Sequence, residues 1–150
     1  LEHALESGKI HGIGVSNFEP EHLERLLEAA TIVPALNQVE LHPGLTQKAV
    51  RAADAAAGIA TEAWSPLARG RFNDNELLQN IATKYGKSVS QVIIRWHIDL
   101  GNLVIPKTSN PDRLIENFNV FDFKLTAEDM QQIATLDTGM RTGAHPDDLN

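Results

Sequence analysis

The sequence predicts an α/β fold with parallel strands. Short apolar segments alternate with helical patterns four times along the chain, and the connections between them are short. Such alternation argues for parallel strands joined by crossover helices. The strands themselves read as continuous apolar runs, the pattern expected of a sheet buried on both faces.

The elements follow in order. The chain opens mid-helix at Leu1, without Met. Gly12–Val15 reads as a strand that delivers Ser16 and Asn17 at its C-terminal end, just before a helix over Pro20–Ala30. A second strand, Ala35–Val39, carries Gln38 and leads to a helix over Thr46–Ala57, with Thr46 placed to cap it. The third strand, Ile59–Ala63, runs into a loop over Trp64–Asp74 and a helix over Asn75–Tyr85, which Gly86 ends in a left-handed conformation. Ser88 or Ser90 starts the next helix, from Val89 to about Ile98. There Val89, Val92, Ile93 and Trp96 recur at helical spacing. Strand Leu103–Ile105 precedes a helix over Pro111–Asn117. A last helix, Ala127–Leu136, is capped by Thr126 with Asp129 three residues on, close to a capping box.

At 150 residues the chain can bury one core, and the default count is one domain. A net charge of −7 argues against nucleic-acid and anionic-membrane partners. The absence of Cys excludes disulfides and thiolate metal sites. No apolar run approaches the roughly 20 residues that span a bilayer, and there is no signal-peptide pattern. The expectation is a soluble cytoplasmic protein. The 6 histidines lack metal-ligand spacing, so His42 and His97 read as surface or core residues. His145, in the polar tail Arg141–Asn150, lies either near a substrate mouth or in a solvated terminus.

One stretch carries more chemistry than the rest. Val104-Ile105-Pro106-Lys107-Thr108-Ser109-Asn110-Pro111-Asp112-Arg113 ends a strand and begins a helix. Backbone N–H groups, hydroxyls and a positive helix end converge there with Lys107 and Arg113, the makings of an anion pocket in an acidic chain. The same segment also fits a solvated basic loop ahead of a surface helix. Likewise, Ser16-Asn17 fits a strand-to-helix cap as well as a binding pair, and Trp64 a core position as well as a stacking one.

Taken together, these segments resemble the aldo-keto reductase superfamily. Leu1 to Phe18 matches its second sequence signature and Ile105 to Val120 its third, with Leu36-Asn37-Gln38-Val39-Glu40-Leu41-His42-Pro43 between them. Within the superfamily the chain is similar to bacterial 2,5-diketo-D-gluconate reductases. That likeness rests on Glu62-Ala63-Trp64-Ser65-Pro66-Leu67, on Leu114-Ile115-Glu116-Asn117 followed by Val120-Phe121-Asp122-Phe123, and on Gly143-Ala144-His145-Pro146-Asp147-Asp148. The resemblance implies that the four strands are the fifth to eighth of an eight-stranded (β/α) barrel. Residues 1–150 would then be the C-terminal half of a TIM-type barrel, with the N-terminal half absent. Four strands do not close such a barrel, so the missing half or a second copy is expected to cover the exposed strand edges.

The resemblance also implies NADP(H) as cofactor. Ser16, Asn17 and Gln38 would hold the nicotinamide amide, and Trp64, a Tyr in most of the family, would stack on the ring. Ser65, Leu67 and Gly70 would cover the pyrophosphate, with Gly70 allowing close backbone approach. Lys107, Thr108 and Arg113 would hold the adenosine 2′-phosphate, with Glu116 and Asn117 near the adenine. Asn110 stands where diketogluconate reductases often carry another basic residue, which weakens the expected grip on that phosphate. The implied reaction is hydride transfer to the carbonyl of an aldehyde, a ketone or a sugar like 2,5-diketo-D-gluconate. The family's Asp, Tyr, Lys and His are not found here, so no catalytic residue is expected in this segment. The one tyrosine, Tyr85, is at a helix end away from any strand terminus. The alternative is a non-catalytic half barrel that binds nucleotide or self-associates.

Overall fold

The computed structural model describes residues 1–149; Asn150, the end of the polar tail, lies outside them. Four strands, β1 (Val15–Ser16), β2 (Leu36–Glu40), β3 (Ala60–Trp64) and β4 (Leu103–Val104), form one parallel sheet in chain order. In the first pair Val15 faces Asn37 and Ser16 faces Gln38. The helices are α1 (Glu2–Glu6), α2 (Pro20–Ala29), α3 (Lys48–Ala56), α4 (Glu76–Tyr85), α5 (Val89–Asp99), α6 (Pro111–Phe118) and α7 (Ala127–Ala134). Short 3-10 turns occupy Ala68–Gly70 and Pro146–Leu149.

Local chemistry explains most boundaries. Asn75 caps α4 by accepting the Leu78 N–H, and Gly86 ends it at φ 62°, as expected. Ser88, not Ser90, caps α5, and its partner Gln91 completes a capping box. Thr126 and Asp129 form the same device at α7. Thr46 does not cap α3. The helix starts at Lys48 behind a left-handed Gln47 (φ 50°), and the Thr46 hydroxyl donates instead to the Asp137 carboxylate. With Gln47 between it and the first helical residue, Thr46 stands one position too early to cap, and the bond to Asp137 holds its side chain toward that carboxylate.

The strands also depart from the continuous apolar pattern. In β2, Asn37 and Val39 are buried while Leu36 and Gln38 are half-buried; in β3, Thr61 and Ala63 are buried while Ala60 is exposed and Glu62 and Trp64 are half-buried. Alternating burial means that one sheet face is packed and the other is open in this chain. Gln38 and Glu62 share that open face, where Gln38 Nε2 donates to Glu62 Oε1 at 2.6 Å.

The chain divides into two compact units. One comprises Leu1–Val39, Gln47–Glu62 and the chain from Ala144 onward; the other comprises Glu40–Thr46 and Ala63–Gly143. In the first, Leu23, Val39, Val50 and Ile59 are buried together with a polar trio, Asn37, Asp54 and Thr61. In the second, Leu78, Ile81, Val92, Ile93, Trp96 and Ile133 are core residues, Trp96 only 1% exposed. No helix among the described residues is long and apolar enough to cross a membrane.

Candidate functional site

In the second unit, three segments surround a cavity of about 670 Å³. The first follows β3. Ser65 (φ 48°), Ala68 (φ 47°), Arg69 (φ 55°) and Gly70 (φ 82°) all adopt left-handed backbone. A tight turn results, closed by Ala68 N–H to Ser65 O and Gly70 N–H to Leu67 O, both 2.8 Å. At 70 a side chain would also be strained, and its Cβ would stand 3.2 Å from Asn73 Nδ2. The second segment is Pro106, Lys107 and Thr108 after β4, continuing into Arg113, Glu116 and Asn117 on α6. The third is the N-terminus of α5, with Ser88, Val89 and Ser90.

The cavity is cationic. Arg69, Lys107 and Arg113 line it, opposed by Glu116, whose carboxylate accepts a hydrogen bond from the Ser88 hydroxyl. Asn110 caps α6, its side chain accepting from Asp112 and Arg113 N–H at 2.8 and 3.4 Å. Arg113 therefore leaves the helix at its positive end, close to Lys107 and Thr108 in the cavity wall. Gln91 fastens α6 from behind: its Nε2 donates to Glu116 O (3.1 Å) and Asn119 O (2.9 Å). This donor set suits a phosphate, which needs fixed cations, hydroxyls and N–H groups at a helix start. Of the residues singled out from sequence, Ser65, Leu67, Gly70, Lys107, Thr108, Arg113, Glu116 and Asn117 all line this cavity. Asn73, Ser88, Val89 and Ser90 line it too and were not anticipated as wall residues. The Ser88 cap at a helix start was the available signal for the last three.

Ser16, Asn17 and Gln38 belong to the first unit. Ser16 Oγ donates to Gln38 O at 2.9 Å, and Asn17 (φ 59°) donates its N–H to the same carbonyl at 2.9 Å. Ser16 and Asn17 line a cleft of about 580 Å³ with Phe18, His22 and Arg25. Trp64, in the second unit, is half-buried and is not part of the cationic cavity wall.

Several titratable groups outside the cavity have structural partners. Tyr85 donates to Asp129 at 2.5 Å, and Lys84 Nζ lies 2.9 Å from both Asp129 oxygens. Burial raises the Asp129 pKa, but the bonds from Tyr85, Lys84 and Thr126 outweigh it and hold the carboxyl far below its usual range. His42 and His97 are fully buried, and His145 sits by Asp147. Among the described residues no cluster could hold a metal ion.

The aldo/keto reductase family model matches residues 1–138. The chain belongs to the aldo/keto reductase family. This aldo-keto reductase chain is 53% identical over 148 residues to an aldo-keto reductase of Mycolicibacterium smegmatis, covering 99% of this chain and 54% of that protein. It is 51% identical to the glyoxal reductase of Bacillus subtilis, covering 99% and 54%, and 45% identical to the methylglyoxal reductase DkgA of Escherichia coli K12, covering 95% and 52%. Among solved structures, a mutant of Gox0644 in complex with NADPH superposes with a TM-score of 0.95 at 46% identity, covering 99% of this chain and 55% of that one. A Bombyx mori aldo-keto reductase in complex with NADP gives 0.90 at 35%, covering 97% and 51%. The chain spans about half the length of the curated relatives it matches.

Proposed function

We propose that the chain is the cofactor-holding, C-terminal half of an NADP(H)-dependent carbonyl reductase. The observation that carries this reading is the cavity where Arg69, Lys107 and Arg113 meet the N-terminal ends of α5 and α6. Lys107, Thr108 and Arg113 would hold the 2′-phosphate of the adenosine, and Glu116 and Asn117 the adenine. Ser65, Leu67 and Gly70, in the turn after β3, would lie against the pyrophosphate, with the bare Gly70 allowing close approach. Ser16, Asn17 and Gln38 would hold the carboxamide, and Trp64 would lie against the nicotinamide.

When bound, the nicotinamide supplies a hydride to the carbonyl carbon of the substrate. This chain's residues bind and orient. A proton donor to the carbonyl oxygen is expected from the N-terminal half of the barrel, because Tyr85 is committed to Asp129. The glyoxal and methylglyoxal reductases among the relatives favour small aldehydes and ketones as substrates, with sugar carbonyls of the 2,5-diketo-D-gluconate type a narrower option. By itself the chain would bind nucleotide without turnover.

Arg113→Ala tests the reading. Loss of a charge-assisted bond of roughly 1.5–3 kcal/mol weakens NADPH binding about 10- to 150-fold. NADH, lacking the 2′-phosphate, keeps its affinity. Equal losses for the two cofactors in a calorimetric titration would overturn the phosphate assignment.

A further inference from the structure

The second unit contains a strap that the proposed cofactor contacts leave unused. Residues 137–143 run back along the loop 40–46. At one end the Thr46 hydroxyl donates to Asp137, and in the middle Thr138 and Met140 N–H both donate to Gly44 O, at 3.2 and 3.0 Å. At the other end the Thr142 N–H and hydroxyl donate to Glu40 Oε1, each at 2.5 Å, and the Gly143 N–H donates to Glu40 Oε2 at 3.2 Å.

Glu40 is 1% exposed, an expensive place for a carboxylate unless it is fully hydrogen-bonded. Burial pushes its pKa up, but the bonds from Thr142 and Gly143 outweigh that and hold it below the usual value. His42 lies 3.3 Å from Oε1 at zero exposure, and burial holds its pKa below the ordinary value despite the carboxylate beside it. What this arrangement holds in place is Gly143. A Cβ at 143 would fall 2.8 Å from Trp64 Cη2 and 3.5 Å from Glu40 Oε2. Only glycine lets the strap come so close to the indole.

We propose that Glu40 is a positioning residue: it latches Thr142–Gly143 onto the edge of Trp64 and so sets the indole's orientation toward the nicotinamide end of the cofactor. This rests on the reading of Trp64 given above. Close contact with fixed backbone narrows the rotamers open to the indole. The strap therefore acts on the nicotinamide end and leaves the adenosine cavity alone.

Fluorine NMR of the full chain labelled with 5-fluorotryptophan tests this, since its two resonances, Trp64 and Trp96, are assigned with Trp64→Phe. Glu40→Gln, Thr142→Val and Gly143→Ala each shift the Trp64 resonance and leave that of Trp96 in place. The same variants weaken NADPH about fivefold, while adenosine 2′,5′-bisphosphate, which has no nicotinamide, binds as before. Gly143→Ala decides the matter if Glu40→Gln fails to fold. An unmoved Trp64 resonance, or equal losses for both ligands, overturns the latch. If the native chain binds neither ligand the cofactor reading falls, and the fluorine shifts alone then judge whether Glu40 holds the indole.

Discussion

Asn37 grips Phe18 by both backbone groups: its Nδ2 donates to Phe18 O at 2.9 Å, and its Oδ1 accepts the Phe18 N–H at 3.3 Å. The grip lies one residue beyond left-handed Asn17 and so fixes the turn that carries Ser16 and Asn17. Asn37 Nδ2 also donates to Asp54 Oδ1 at 3.1 Å, and Thr61 to Asp54 Oδ2 at 2.7 Å, all of it buried. Asn37→Ala strands the Phe18 groups and one side of Asp54. It is expected to lower stability by about 3 kcal/mol, read as a drop in urea midpoint at unchanged slope.

Asp54 behaves differently with pH. Burial raises its pKa, and the bonds from Thr61 and Asn37 only partly counter this. A folded pKa above the unfolded value adds stability at low pH that is lost as pH rises through the folded pKa. Asp54→Asn keeps an acceptor for Asn37, and its NH2 can donate to the Thr61 hydroxyl. The variant is therefore expected to melt at or above the native temperature at pH 7. Its advantage should vanish in acid, where Asp54 is already neutral; calorimetry at both pH values checks this.

Asp129 carries the opposite sign. Its folded pKa is depressed, so its contribution is present above the unfolded carboxylate value and fades as pH falls through the folded one. Asp129→Asn is expected to cost about 2 kcal/mol near pH 7, with the gap to the native chain narrowing below about pH 4. A gap that stays constant from neutral pH into acid would show that the Lys84–Tyr85–Thr126 cluster does not depend on the charge.

The two ends of the proposed cofactor site should respond separately. Trp64→Ala is expected to weaken NADPH and NADH alike, by about 2- to 10-fold for a lost ring contact. Adenosine 2′,5′-bisphosphate would be untouched.

Gln91→Ala should do the reverse, because Gln91 tethers the Glu116 and Asn119 carbonyls and so places α6. Its loss is expected to weaken adenosine 2′,5′-bisphosphate about 10-fold. Titration of the bisphosphate against both variants separates the two ends.

What the sequence by itself determined was the order of elements and the places where local chemistry has no competitor. Ser88 and Thr126 cap helices because their hydroxyls reach N–H groups three residues on, and Gly86 ends α4 because it accepts φ 62° without strain. That Lys107 and Arg113 would share a cavity wall was legible because a strand end and a helix start stand only a few residues apart. Tertiary structure decided whatever depended on partners distant in sequence. Thr46 found its acceptor in Asp137, 91 residues away, while α3 began behind Gln47. Glu40 found its donors at Thr142 and Gly143, more than 100 residues on. Ser88 joined the wall around Glu116 only when α5 and α6 packed. β2 and β3 read Leu-Asn-Gln-Val and Ala-Thr-Glu-Ala, with no apolar–polar alternation, and which polar residues would be buried turned on Asp54 on α3 pairing with Asn37 and Thr61. A polar side chain enters a core only when its hydrogen bonds are met there, and partners that far along the chain become neighbours only through the fold.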